Sequence, residues 1–223
     1  MDEAPLGKRG EACRKTRADD FTQRGTQEVV ANGLLEVVLI RQGVILGLWA
    51  NNWHEQREHR ALANSALRNF AGEMRTNQQA VQKDRQYHEA LVRELQEFLA
   101  SGEPPTQERY QQNVHFQGVR PVMFAHTAWD LALATQSLSY LKSELAFDIS
   151  KVYSEQNALQ TLENSFLASA FTPATFSSEN LKGLITAMKF YLIDVNIQEP
   201  AILQSYEKVI PEIGRALPRS YTR

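Results

Sequence analysis

Histidines beside carboxylates are the first residues in this sequence with the types to do chemistry. "HEQREH", His54 to His59, holds two histidines and two glutamates. A zinc protease needs two histidines four apart on one helix face, with a glutamate beside the first. His54 and His59 are five apart, about 140° round a helix, so the spacing argues against a shared metal. His88, His115 and His126 are scattered, with no cysteine or carboxylate pattern near them; His126 reads as a polar residue at a helix start. The one cysteine, Cys13, allows neither a disulfide framework nor a thiolate cluster. Glu94 with Glu97, and Asp84 with Glu89, read as solvated helix surface rather than acid–base pairs. No Gly-x-Ser-x-Gly elbow and no phosphate-binding glycine loop occurs. These residues point to no catalytic site, no metal and no cofactor. Trp129, in "TAWDLALA", is a candidate core or pocket aromatic. In an alanine-rich helix a tryptophan more often fills a core, its N–H finding one partner.

The elements that would position these residues are helical. Of 223 residues, 43% are hydrophobic and 22% charged, as in an ordinary folded protein. Glycine (11) and proline (8) are scarce, and no segment alternates with period two. The expected fold class is all-α. A net charge of -2 supplies no clustered positive surface, so nucleic acid is not an expected partner.

Residues 1–28 mix basic and acidic side chains with few bulky apolar ones and read as a disordered, solvated tail. They are not a secretory signal, because the apolar run that follows starts too late and lacks a small-residue cleavage site. A long helix is expected at about 54–100. In it Leu67, Phe70, Met74, Asn77, Val81, Asp84, His88, Leu91, Leu95 and Phe98 recur at steps of three and four. That is a heptad seam with a polar interruption from Asn77 to His88. It suits one helix of a bundle, with a coiled-coil dimer as the alternative. "SGEPPTQ" (101–107) breaks the helix, since prolines cannot continue it. A short segment near 108–116 and a Gly118/Pro121 turn follow. Further helices are expected at about 122–135, 144–170, 178–196 and 200–216. Ser178 can cap the third of these. Pro200 suits the first turn of the last, and Pro211 kinks it.

Between tail and long helix lies "LLEVVLIRQGVILGLWANNW", Leu34 to Trp53. A membrane span takes about 20 residues. Eight Val, Leu and Ile side chains between Val37 and Trp53 contribute about -2.4 to -4.8 kcal/mol to insertion, against about +2.5 to +3.5 for one central arginine. Arg41 lies near one end, where its stem can follow the helix while the guanidinium reaches the interface. Trp49 and Trp53 sit near the other, where tryptophan is enriched. Arg41, Gln42, Asn51 and Asn52 scatter round the helix, so they group by depth rather than by face. The expected membrane-interface anchors are Arg41, Trp49 and Trp53. Gly43 and Gly47 form G-x-x-x-G, extended by Ala50 on the same face, a candidate helix–helix contact for a homodimer in lipid. Basic residues within 20 positions number four before the run (Arg14, Lys15, Arg17, Arg24) and three after it (Arg57, Arg60, Arg68), a weak bias for the tail inside.

"LLEVVLIRQGVILGLWANNWHEQRE" resembles the N-terminal signature of an uncharacterised bacterial family of small single-span membrane proteins. Glu36, Gly43, Asn51, Asn52, Trp53, Glu55 and Arg57 occupy the signature positions. Thr127, Ala128 and Trp129, then Glu144, Leu145 and Tyr153, are similar to the family's later Thr-Ala-Trp helix and the helix after it. Together the two segments cover about a quarter of the chain. Arg41 and Gln42 depart from the pattern, standing where the family has two apolar residues. The resemblance implies one N-terminal transmembrane helix, at 29–53, continuing into a long helix and an extracytoplasmic α-helical domain at 54–223. It implies the bacterial inner membrane, with the N-terminus cytoplasmic and the domain periplasmic, and no known activity. The expected role is protein interaction or structure, with the lipid bilayer and a second copy or other protein as partners. The alternative is a soluble cytoplasmic helical bundle, a scaffold or regulator, in which 34–53 is a buried core helix and a carboxylate pairs with Arg41.

Overall fold

The computed structural model describes residues 12–170 and 180–218, with side chains from residue 41 onward. Among these the chain is all-α, with five α-helices, one 3-10 turn and no strand. The helices are α1 (Ala12–Ala100), α2 (Gln107–Asn113), α3 (Thr127–Ala134), α4 (Ser143–Ala170) and α5 (Leu181–Ala216); the 3-10 turn is Ser137–Tyr140. The contact pattern divides the chain into two compact units, Met1–Glu58 and His59–Arg223.

Among the described residues of the first unit the only element is α1. It starts at Ala12, inside the stretch expected to be a disordered tail, residues 1–28. No proline occurs between Pro5 and Pro104, and the residues from 12 on are rich in alanine, arginine, glutamine and glutamate, all good helix formers. A polar composition rules out a core here; it does not rule out a helix. Of the expected span at 29–53, the side chains of 29–40 lie outside the described residues. Arg41 to Trp53 are helical and all exposed. Among the described residues, no helix is long and apolar enough to cross a membrane.

In the second unit the later part of α1, α4 and α5 share one core. The seam residues Leu67, Phe70, Met74, Val81, Leu91, Leu95 and Phe98 are buried in it. They meet a stripe on α4 (Leu145, Ile149, Val152, Leu159, Phe166) and a longer one on α5 (Ile185, Met188, Leu192, Val195, Ile202, Val209, Ile213). Each stripe steps by three, four or seven, the spacings that put side chains on one helix face. The seam is therefore covered by the chain's own helices.

Two expected boundaries need correction. The helix expected at 122–135 is only Thr127–Ala134; residues 114–126 take no regular secondary structure, because side chains of α1 and α4 bind their backbone. The helices expected at 178–196 and 200–216 are one helix, Leu181–Ala216, with Pro200 and Pro211 inside it. A mid-helix proline costs about 3 kcal/mol. Around Pro200 the cost is offset by burial of Val195, Ile202, Leu203 and Tyr206, each worth about 1.5–3 kcal/mol when fully buried. Ser178, the expected cap, lies outside the described residues.

Candidate functional site

The polar interruption of the α1 seam holds an irregular strap of chain, residues 114–126, against the bundle. An irregular segment has no ladder to satisfy its N–H and C=O groups, and each one buried unpaired costs about 1–3 kcal/mol. Here side chains supply the partners. Asn77 pairs with Ala125 on both sides, its amide donating to the carbonyl at 2.9 Å and its oxygen accepting from the N–H at 3.0 Å. The Tyr87 hydroxyl donates to the Gly118 carbonyl at 2.6 Å and accepts from the Gln117 N–H at 2.9 Å. Glu94 accepts from the His115 N–H at 2.8 Å. Glu73 accepts from the Ala128 N–H at 2.9 Å, in the first turn of α3, where a carboxylate suits the free amides and the helix dipole. Gly118, at φ 98°, takes the left-handed turn that a Cβ would disfavour.

Beneath the strap lies a buried polar cluster. His88 (α1) and Glu199 (α5) are both 0% exposed and lie 2.8 Å apart, Nδ1 to Oε1. The other ring nitrogen of His88 reaches the Val119 carbonyl at 3.2 Å. Glu163 (α4), also buried, accepts from the Val122 N–H at 2.8 Å. Burial lowers the His88 pKa, but the hydrogen bond and charge of Glu199, with the Val119 carbonyl, outweigh it and leave the pKa raised. Burial lifts Glu163 to about 7, against smaller lowering by the Val122 N–H and by His88. Tyr191 is raised as well, by burial and then by the charges of Glu163 and Glu199. The second carboxylate oxygen of Glu199, the Tyr191 hydroxyl and the Asn196 side-chain oxygen are buried and make no hydrogen bond among the described residues. No group of three or more His, Cys, Asp or Glu among the described residues is placed to hold a metal. The cluster can hold protons and fasten the strap.

A second polar region opens to solvent between α3 and α4. A cleft of about 330 Å³ is lined by Trp129, Asp130 and His126 on one side and by Ser150, Tyr153, Ser154, Asn157 and Gln160 on the other. Trp129 is half-buried. Its ring lies 5.2 Å from that of Tyr153 and 6.4 Å from that of Phe70, so the indole both packs on the core and walls the cleft. The Tyr153 hydroxyl donates to Glu73 at 2.6 Å. His126 reaches Gln160 at 3.1 Å.

The other expected site residues lie in the first unit. Arg41, Gly43, Gly47, Trp49, Ala50 and Trp53 all fall on the exposed stretch of α1. A Cβ added at Gly43 or Gly47 would meet nothing within 4 Å. Trp53 carries the Arg57 guanidinium 4.8 Å from its ring centre. His54 pairs with Glu58 at 3.2 Å, while His59 stacks on Tyr140 at 4.0 Å.

Residue-by-residue reading of the sequence misses Glu73, Glu163 and Glu199. For two of them a signal was present. Glu163 lies between Leu159 and Phe166, on a stripe whose other polar member is Gln156, and Glu199 lies between Val195 and Ile202 on an apolar one. A carboxylate there must find a partner or hold a proton. His115 and Glu94, read separately, are a pair at 3.1 Å. Compared with known proteins, the chain matches no family model, no curated protein and no solved structure.

Proposed function

We propose that the chain is a membrane-anchored helical interaction module. The tail lies in the cytoplasm of a bacterium, residues 29–53 cross the inner membrane once, and residues 54–223 form a periplasmic domain that works by contact with another molecule. One observation carries the reading. Val44, Ile45, Leu46, Leu48, Trp49 and Trp53 are 53–67% exposed, and at the α-helical turn they cover about 200° of the helix. Apolar surface left in water is unfavourable by about 25 cal/mol per Å², and an exposed stretch of this kind marks a membrane or partner contact. Gly43, Gly47 and Ala50 fill the remaining arc. Among the described residues nothing lies within 4 Å of a Cβ added at Gly43 or Gly47, and a second copy approaching closely in lipid is the contact they would serve. The resemblance carried by Glu36, Asn51, Asn52 and Trp53, and by Thr127 to Trp129, supports the same reading. The soluble alternative needs 34–53 as a buried core helix, and the exposure of 41–53 counts against it.

The test is topological. The full chain, and a C13S/S101C version of it, are labelled in intact cells with a membrane-impermeant thiol reagent, before and after permeabilisation. Labelling at 101 but not at 13 in intact cells is expected. Protection of both positions until permeabilisation would place the whole chain in the cytoplasm and end the proposal.

A further inference from the structure

The cleft between α3 and α4 is lined mainly by polar side chains, with Asp130, Ser154 and Asn157 at exposed positions. Here Ser150, Ser154 and Asn157, at steps of four and three on α4, form a polar stripe beside Trp129. The two serines are short, and the Ser154 hydroxyl folds back on the Ser150 carbonyl at 3.0 Å. The volume, about 330 Å³, lies at the lower end for small-ligand sites.

We infer that this cleft binds a neutral saccharide, one pyranose ring lying against the Trp129 indole while Asp130 and Asn157 take its hydroxyls. A pyranose has an apolar C–H face and a rim of hydroxyls that both donate and accept. The cleft offers the matching set. The indole gives a flat apolar wall. The Asp130 carboxylate accepts, and the Asn157 amide does both; neither side chain has a hydrogen-bond partner among the described residues. Gln160 and the serines add groups of the same kind. Charge narrows the class further. No lysine or arginine lines the cleft, which disfavours phosphate and carboxylate ligands, since these are held by such cations. A single carboxylate among neutral groups, beside two rings only 30° from coplanar, is not the aromatic cage that holds a quaternary amine. The inference does not depend on which side of a membrane the domain occupies.

The test uses the full chain carrying W49F and W53F, which leaves Trp129 as the only tryptophan. Its fluorescence is titrated with cellobiose, maltose and N,N′-diacetylchitobiose, and separately with glucose 6-phosphate and choline. At least one neutral disaccharide is expected to give a saturable change, with Kd about 1 mM or tighter. Asn157→Leu and Ser154→Leu, both at exposed positions, should weaken it at least about tenfold, or about 1.4 kcal/mol, at unchanged Tm. No saturable response to any of the three disaccharides overturns the inference. So does a response that survives Ser154→Leu in a folded protein, or one given by choline or the sugar phosphate alone.

Discussion

Two stretches of α1 invert the usual expectation. Arg41 to Trp53 is the more apolar of the two, yet all of it is exposed. Leu67 to Phe98 carries Asn77 and His88 in its seam, yet both are buried, at 1% and 0% exposure. The difference lies in what each stretch has to meet. The second has α4, α5 and a strap of irregular backbone, and its polar side chains match groups that the strap cannot satisfy by itself. Along the first, no described side chain from Arg41 to Trp53 is buried. Burial along this helix follows available partners rather than residue hydropathy.

Removing a partner from the buried seam should have the largest effect. His88→Ala leaves Glu199 without its ion-pair partner and the Val119 carbonyl without a donor. Breaking a buried pair this way costs about 3–5 kcal/mol. Urea unfolding of the full chain should show that loss, and a H88L/E199L double variant should recover most of it. A single variant as stable as wild type would mean the pair does not fasten the strap.

Next in size is a dependence on pH. Glu163 rises from 4.5 to about 7 on folding, and His88 rises above its ordinary 6.5. In each case the folded state binds its proton more tightly, so stability is greatest below the unfolded pKa and falls as pH rises through the folded one. For Glu163 the loss should run from about pH 4.5 to about pH 7 and amount to about 3 kcal/mol. His88 extends it upward from about pH 6.5. Glu163→Gln can still accept from the Val122 N–H and carries no charge. Its Tm should vary less with pH and exceed that of wild type at pH 8. A wild-type Tm that climbs between pH 5 and 8 would contradict this account.

The smallest effect should come from the exposed stretch. Leu46→Ser and Trp49→Ser remove side chains that touch no core and should shift unfolding stability by no more than about 0.5 kcal/mol. Under the proposed function they should still move the protein from the membrane pellet to the supernatant after carbonate extraction. A stability loss of several kcal/mol would mean that this stretch is packed, and would remove the contrast with the seam.

Much of the bundle was legible in the sequence, because its stripes obey a local period that burial enforces. Leu67 to Phe98 on α1 and Leu145 to Phe166 on α4 are of this kind. The polar break in the seam was visible too, but not its cause. Asn77 binds Ala125 and His88 meets Glu199 across 48 and 111 positions, and no local rule carries that far. Residues 122–126 read as helix because five residues hold too little pattern to separate helix from extended chain; α1 side chains decide the matter. Pro200 reads as a helix start because the local preference is strong, yet burial on both sides of it prevails. Trp129 was a candidate for core or pocket and touches both. The pocket side depends on Ser150, Ser154 and Asn157, whose spacing was plain and whose neighbour was not.

The strap also bears on the order of folding. Its backbone is bound through side chains 21 to 48 positions away in sequence, counting Glu94, Tyr87, Glu163 and Asn77. Until those side chains are in place it has nothing to dock on, and closing such loops costs entropy before any contact repays it. Residues 117–125 should therefore join late, with φ-values near zero, once α1 and α4 have met. In the native protein the amides of Val122 and Ala125 should nonetheless exchange as slowly as those of a helix. A segment without secondary structure would then report the opening of the whole bundle.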